Sequence, residues 1–205
     1  MKSISEKLVI VVGVVALIAI ILIIVFLSRG PTTPSTPSAS SISSAASQAL
    51  GGTWVVNTSE SGVAEINASN SSASLTYLNG TKTVVSLMGP LQISFGSTTL
   101  NLGYPPTVYF FYLSSPINNS VVLIAVYEFP NSTAPTDVIS TIQSLSGVAP
   151  SVSSGLSYFT NETSGYMVLV GSDGDYLVMI MANYTASPQA YAALANRALS
   201  LVGGP

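Results

Sequence analysis

Two apolar runs, VYFFYL over residues 108–113 and VVLIAVYEF over 121–129, are separated only by SSPINNS. Both are dense in β-branched and aromatic side chains, so they are predicted to be two strands joined by a tight connection. Asn131 follows, and then an amphipathic stretch over 135–145 with Pro135 in its first turn and Gly147 just past its end. That asymmetry marks the start and stop of a helix. The succession then recurs. Residues 166–170 and 176–182 read as strands around Ser172-Asp173-Gly174-Asp175, and Asn183 precedes a helix over 188–202 that opens with Pro188 and ends at Gly203.

Val138, Ile139, Ile142 and Leu145 form an apolar stripe on the first helix, and Tyr191, Leu194, Ala195, Ala198 and Val202 form one on the second. Two strand–strand–helix units, a possible internal duplication, imply an α+β sandwich in which both helices cover one antiparallel sheet. Residues 156–160 are expected to add an edge strand. Upstream, the runs at 53–56, 62–66, 74–78, 83–88, 91–95 and 98–102 read as a meander of short strands. Asn79-Gly80 is a strong hairpin signal and Gly89-Pro90 marks the next break.

Outside this domain, assigned to residues 51–205, the chain changes character. Residues 8–27 read LVIVVGVVALIAIILIIVFL, twenty apolar residues without charge or proline. As a helix rising 1.5 Å per residue they span about 30 Å, the thickness of a bilayer's hydrocarbon core. Lys2 and Lys7 precede the segment and Arg29 alone follows it. The positive-inside tendency then puts residues 1–7 in the cytoplasm and everything beyond the span outside the cell membrane, in a single-pass topology. Residues 28–50 are rich in Ser and Thr, with Pro31, Pro34 and Pro37, and are expected to form an extended stalk.

The asparagines carry the strongest functional signal. The acceptor pattern Asn-x-Ser/Thr occurs at Asn57, Asn67, Asn70, Asn79, Asn118, Asn131, Asn161 and Asn183, eight of eleven asparagines. With Ser and Thr at about a quarter of the chain, roughly three matches are expected by chance. All eight follow the apolar segment, on the side assigned to the exterior. Glycans there would also hydrate a surface poor in charge, since only 6% of residues are Asp, Glu, Lys or Arg against about 25% in typical globular proteins. A strongly acidic exterior would act in the same direction, because carboxylates are protonated there. The lone anchor, the Ser/Thr/Pro stalk, the density of acceptor sites and the lack of Cys and His together resemble cell-surface proteins of archaea, thermoacidophilic ones in particular. The resemblance implies a membrane-anchored, N-glycosylated surface protein.

Catalytic and metal chemistry finds few candidates. Without Cys or His there is no disulfide framework, no thiolate or imidazole metal site and no His-based triad, and no cofactor is expected. Asp173-Gly174-Asp175 lacks the spaced oxygens and closing Glu of a calcium loop and reads as a hairpin turn. Glu60, Glu65, Glu128 and Glu162 are the carboxylates from which a glycosidase pair could be drawn. Lys82, the only external lysine, reads as a strand end. Tyr104, Tyr109, Phe110, Phe111 and Tyr112 are crowded together, and strand alternation sends Tyr109 and Phe111 one way and Phe110 and Tyr112 the other. Core packing is the expected role for these aromatics and for Trp54.

A nucleic-acid partner is excluded on charge, since Lys82 and Arg197 are the only basic residues beyond residue 30 against seven acids. The expected partners are membrane lipid through residues 8–27 and a protein or glycan at the cell surface. The leading reading is a non-catalytic envelope protein that binds or supports another surface component or serves as accessory subunit of a membrane complex. A pilin-like filament subunit is the first alternative, weakened by Lys7 at the position of cleavage and by the prolines that end the helix early. A surface carbohydrate-active enzyme or solute-binding receptor is the second.

Overall fold

The computed structural model describes residues 36–95, 98–163 and 165–204. The expected membrane span at 8–27 and the segment 1–7 expected to be cytoplasmic lie outside these, and among the described residues no helix is long and apolar enough to cross a membrane. The described chain is a mostly antiparallel β domain with three helices, an α+β arrangement. It begins with helix α1 (Ala39–Leu50) and strands β1 (Val55–Val56), β2 (Gly62–Asn67), β3 (Ser72–Tyr77) and β4 (Lys82–Ser86). Next come β5 (Leu91–Phe95), β6 (Thr98–Gly103), β7 (Thr107–Ser114), β8 (Val121–Glu128) and helix α2 (Thr133–Ser146). The chain ends with β9 (Ser151–Ser153), β10 (Leu156–Thr163), β11 (Tyr166–Asp173), β12 (Tyr176–Ala182) and helix α3 (Pro188–Leu201).

The main sheet runs β4-β3-β2-β7-β8-β12-β11-β10-β9, with β1 pairing the far end of β7. Every neighbouring pair is antiparallel. β7 and β8 lie in the interior and are buried almost throughout. A one-sided antiparallel strand would alternate apolar and polar residues; these are apolar on both faces because both faces are covered. Between β1 and β2 the edge facing β7 is interrupted. There the fully buried Ser61 hydroxyl replaces a ladder partner, accepting the Tyr112 N–H at 2.8 Å. At the next residue the backbones of β2 and β3 come so close that a Cβ on Gly62 would lie 2.1 Å from the Thr76 carbonyl oxygen.

Two apolar layers result. On one face Tyr109, Phe111, Ile124, Val126, Val178 and Ile180 pack beneath α1 and α3. On the other, Val108, Phe110, Ala125, Tyr127 and Met179 pack beneath α2, with Ile93 and Leu102 of the β5–β6 pair completing the cover. Most of each expected stripe is buried, Val138, Ile139 and Ile142 on α2 and Tyr191, Leu194, Ala195 and Ala198 on α3, while Leu145 and Val202 are partly buried. The alternation expected for the aromatics also holds, since Tyr109 and Phe111 lie under α1 and α3 while Phe110 and the partly buried Tyr112 lie under α2.

Three features depart from the sequence reading. Within the expected stalk at 28–50, Ala39–Leu50 is a helix rather than extended chain. Past Pro37 nothing blocks a helix, Ser38 caps it by accepting the Ser41 N–H at 3.1 Å, and Ile42, Ala45, Ala46 and Leu50 recur at helical spacing and are buried. Packing against α3 holds it, together with a 2.6 Å hydrogen bond from Arg197 Nη1 to Gln48 Oε1. Second, β5 and β6 form a separate two-stranded sheet instead of extending a meander, and β7 returns to pair with β2. Third, β10 is an edge strand only over residues 159–163, because the three residues of β9 flank its first three.

Candidate functional site

The acceptor asparagines lie at the two ends of the sheet. Asn57, Asn79, Asn118 and Asn183 share the end that carries the β7–β8 connection, where Asn79 N–H donates to the Thr58 carbonyl and Asn183 N–H to that of Val121. Asn67 closes β2, Asn70 lies in the β2–β3 connection, and Asn131 follows β8, all at the opposite end. Asn161 is different, sitting within β10 opposite Val168 and half-buried. Asn67, Asn70, Asn79, Asn118, Asn131 and Asn183 are exposed, and Asn57 is half-buried.

A local geometry recurs among them. The side-chain Oδ1 accepts the backbone N–H of the Ser or Thr two residues on at Asn57 (3.1 Å), Asn67 (3.0 Å), Asn79 (2.9 Å), Asn118 (3.1 Å) and Asn131 (3.0 Å). This is the Asx turn, which Asn adopts because its short side chain reaches its own backbone two residues ahead. At Asn70 the donor is the Ser72 hydroxyl at 2.6 Å. At Asn183 the Oδ1 accepts from a different strand, the Val121 N–H. Asn57 adds a second commitment, for its Nδ2 donates to Glu60 Oε2 at 2.8 Å. Sequence reading does not single out that Asn57–Glu60 pair; its signal is a carboxylate three residues beyond an Asx turn.

The carboxylates also fall into order. Glu65 pairs with Thr107, Thr107 with Glu128, Glu128 with Tyr176 and Tyr176 with Asp173, a row across five strands. Directly opposed residues share a face, here the one beneath α1 and α3. Glu65 and Glu128 are two strands apart, about 10 Å between backbones at ordinary strand spacing. Tyr109, next along that face, has its phenol pKa raised by burial first and then by Glu128, Tyr176 and Glu65. Tyr176 is raised by burial, then by Glu128 and Asp175. Glu60 and Glu162 stand apart, the first in the β1–β2 connection with Asn57 and the second exposed on β10.

Asp173-Gly174-Asp175 is the β11–β12 turn, and among the described residues no group of three or more acidic side chains is arranged to hold a metal ion. Lys82 begins β4 just beyond the Asn79-Gly80 turn. Trp54 is 3% exposed, donates from Nε1 to the Gly51 carbonyl at 2.9 Å, and meets Tyr184 edge-on at 5.2 Å. It is a core anchor, as expected. Tyr184 in turn accepts at its carbonyl from the Tyr191 hydroxyl, whose pKa is pushed up to about 12 by burial and then by Tyr184 and Glu162.

No family model matches this chain, and no curated protein matches it. Among solved structures, the extracellular domain of PknH from Mycobacterium tuberculosis is similar over 47% of this chain, at 14% identity and a TM-score of 0.31. The match spans 64% of that chain, less than two thirds of its length. A likeness this slight carries no argument about fold or function.

Proposed function

We propose that this chain is a single-pass, membrane-anchored, N-glycosylated cell-surface protein without catalytic activity of its own. Its ectodomain binds or supports another envelope component, or serves as accessory subunit of a membrane complex. One coincidence carries the reading: a twenty-residue apolar segment at 8–27 precedes every one of eight acceptor asparagines. The exposure of six of those asparagines supports it, since a glycan attached there projects without disturbing a core. Anchor and glycans account together for a composition that is 48% hydrophobic and only 6% charged.

Protease treatment of intact cells, followed by alkaline extraction of the membranes, tests this topology. Residues 51–205 are expected to be cleaved from outside while a peptide containing residues 8–27 stays in the alkali-stripped membrane. A chain protected until the cells are broken, or released by alkali, contradicts it. An N-terminus beginning near Leu8 in assembled fibres would favour the pilin-like filament subunit.

The Glu65–Thr107–Glu128 row favours a second reading, a surface carbohydrate-active enzyme or solute-binding receptor. Two carboxylates on one face, with Tyr109 and Tyr176 beside them, have the residue types of a glycosidase pair. On the leading reading E65Q and E128Q leave the cellular phenotype unchanged. Loss of function in a folded E128Q protein would transfer support to the enzyme.

A further inference from the structure

The acceptor asparagines are not equivalent, and their geometry sorts them. Resting on the surface-glycoprotein reading above, we infer that Asn67, Asn79, Asn118 and Asn131 are the sites that glycosylation uses on the folded domain, whereas Asn57, Asn161 and Asn183 are withheld by it. In the first four the Asx turn ties Oδ1 to the backbone N–H two residues on. The amide plane is thereby fixed, the residue is exposed, and Nδ2 makes no hydrogen bond among the described residues. A transferase meets an acceptor already in one conformation, so ordering it on binding costs little.

The withheld sites each lack one of these properties. Asn57 forms the turn, but its Nδ2 donates to Glu60 and it is half-buried. Asn161 is held in the β10–β11 ladder, where the backbone is extended and no turn can form without opening the strand pair. Asn183 spends its Oδ1 on the Val121 N–H of β8, so it forms no Asx turn unless that bond to a different strand is broken. Asn70 falls between the groups, exposed but with Oδ1 bonded to the Ser72 hydroxyl instead of a backbone N–H.

The transfer itself is conventional. The Asn Nδ2 forms a bond to C1 of a sugar carried on a lipid-linked glycosyl phosphate, and the C1–O bond to phosphate breaks. The phosphate leaves with the electron pair, and one Nδ2 proton passes to a base of the transferase.

Site-resolved peptide mass spectrometry of the full chain from its native membranes, compared for wild type, E60A and E60Q, tests the sorting. E60A removes the acceptor that holds Asn57 Nδ2, whereas E60Q keeps a side-chain carbonyl in its place. Support is glycan on Asn67, Asn79, Asn118 and Asn131, near-absence on Asn57, Asn161 and Asn183, and a severalfold rise at Asn57 in E60A alone. Similar occupancy at all eight sites with no response to E60A would show modification of the unfolded chain, overturning the sorting while leaving the surface-glycoprotein reading in place. Eight bare asparagines would overturn that reading as well.

Discussion

The β7–β8–α2 and β11–β12–α3 units share one local pattern, yet their helices cover opposite faces of the same sheet. The difference arises at the strand exits. β8 ends with Glu128 in register with the residues beneath α1 and α3, so the next residue, Phe129, turns to the opposite face and is buried there beside α2. β12 ends with Ala182 facing α3, and the chain passes through Asn183 to Tyr184, which packs on that same face. Because side chains alternate along a strand, one residue of offset decides which layer receives the helix. The two layers also differ in composition: α3 shares its face with α1, and α2 shares its face with the β5–β6 pair.

The largest effect expected from breaking this asymmetry is at Ala195, 0% exposed on the sheet-facing stripe of α3. Ala195→Glu buries an unpaired charge and should destabilise the domain by several kcal/mol. An unchanged melting temperature would mean that α3 faces the other way. Ile42→Ala asks whether α1 belongs to that layer or merely leads into it. A buried Ile truncated to Ala should cost about 2–4 kcal/mol in denaturant unfolding, and a loss within experimental error would return Ala39–Leu50 to the stalk.

Ser61→Ala removes the hydroxyl that accepts the Tyr112 N–H and should cost about 1–2 kcal/mol by leaving a buried donor unpaired. The mildest probe is alkali. Tyr191 on the α3 side is pushed up to about 12, and burial also raises Tyr127 on the α2 side. Both stay protonated in the folded chain after the unfolded chain has begun to ionise near pH 10, so their stabilising contribution is complete below pH 10 and falls away above it. The melting temperature should therefore fall as pH rises from about 10 to 12, and Tyr191→Phe should flatten that fall. A flat wild-type profile would place these phenols in water.

Much of this was legible in the sequence. The continuous apolar runs at 108–113 and 121–129, the Pro and Gly punctuation of α2 and α3, and the Asn79-Gly80 turn each have a local physical cause, and each element lies where that cause puts it. The misread parts depend on tertiary partners. The stripe of α1 is written mostly in alanine among serines, too weak to stand out until α3 is there to bury it. The face chosen by each helix depends on strand register, which no single segment encodes. For the candidate sites, the acceptor pattern is visible directly, but whether the side-chain amide is free depends on Glu60, which accepts from Asn57 Nδ2, and on Val121, whose N–H donates to Asn183 Oδ1, partners set by turns and pairings beyond the three-residue motif.

The central claim is an anchored chain carrying sugar on its exterior domain, and the intact mass of the protein extracted from its own membranes tests it most directly. The polypeptide weighs 21.1 kDa. The account predicts a heavier species, heterogeneous in steps of sugar mass, that retains the peptide spanning residues 8–27. A single unmodified species at the polypeptide mass, or a shorter chain lacking the apolar segment, would contradict it.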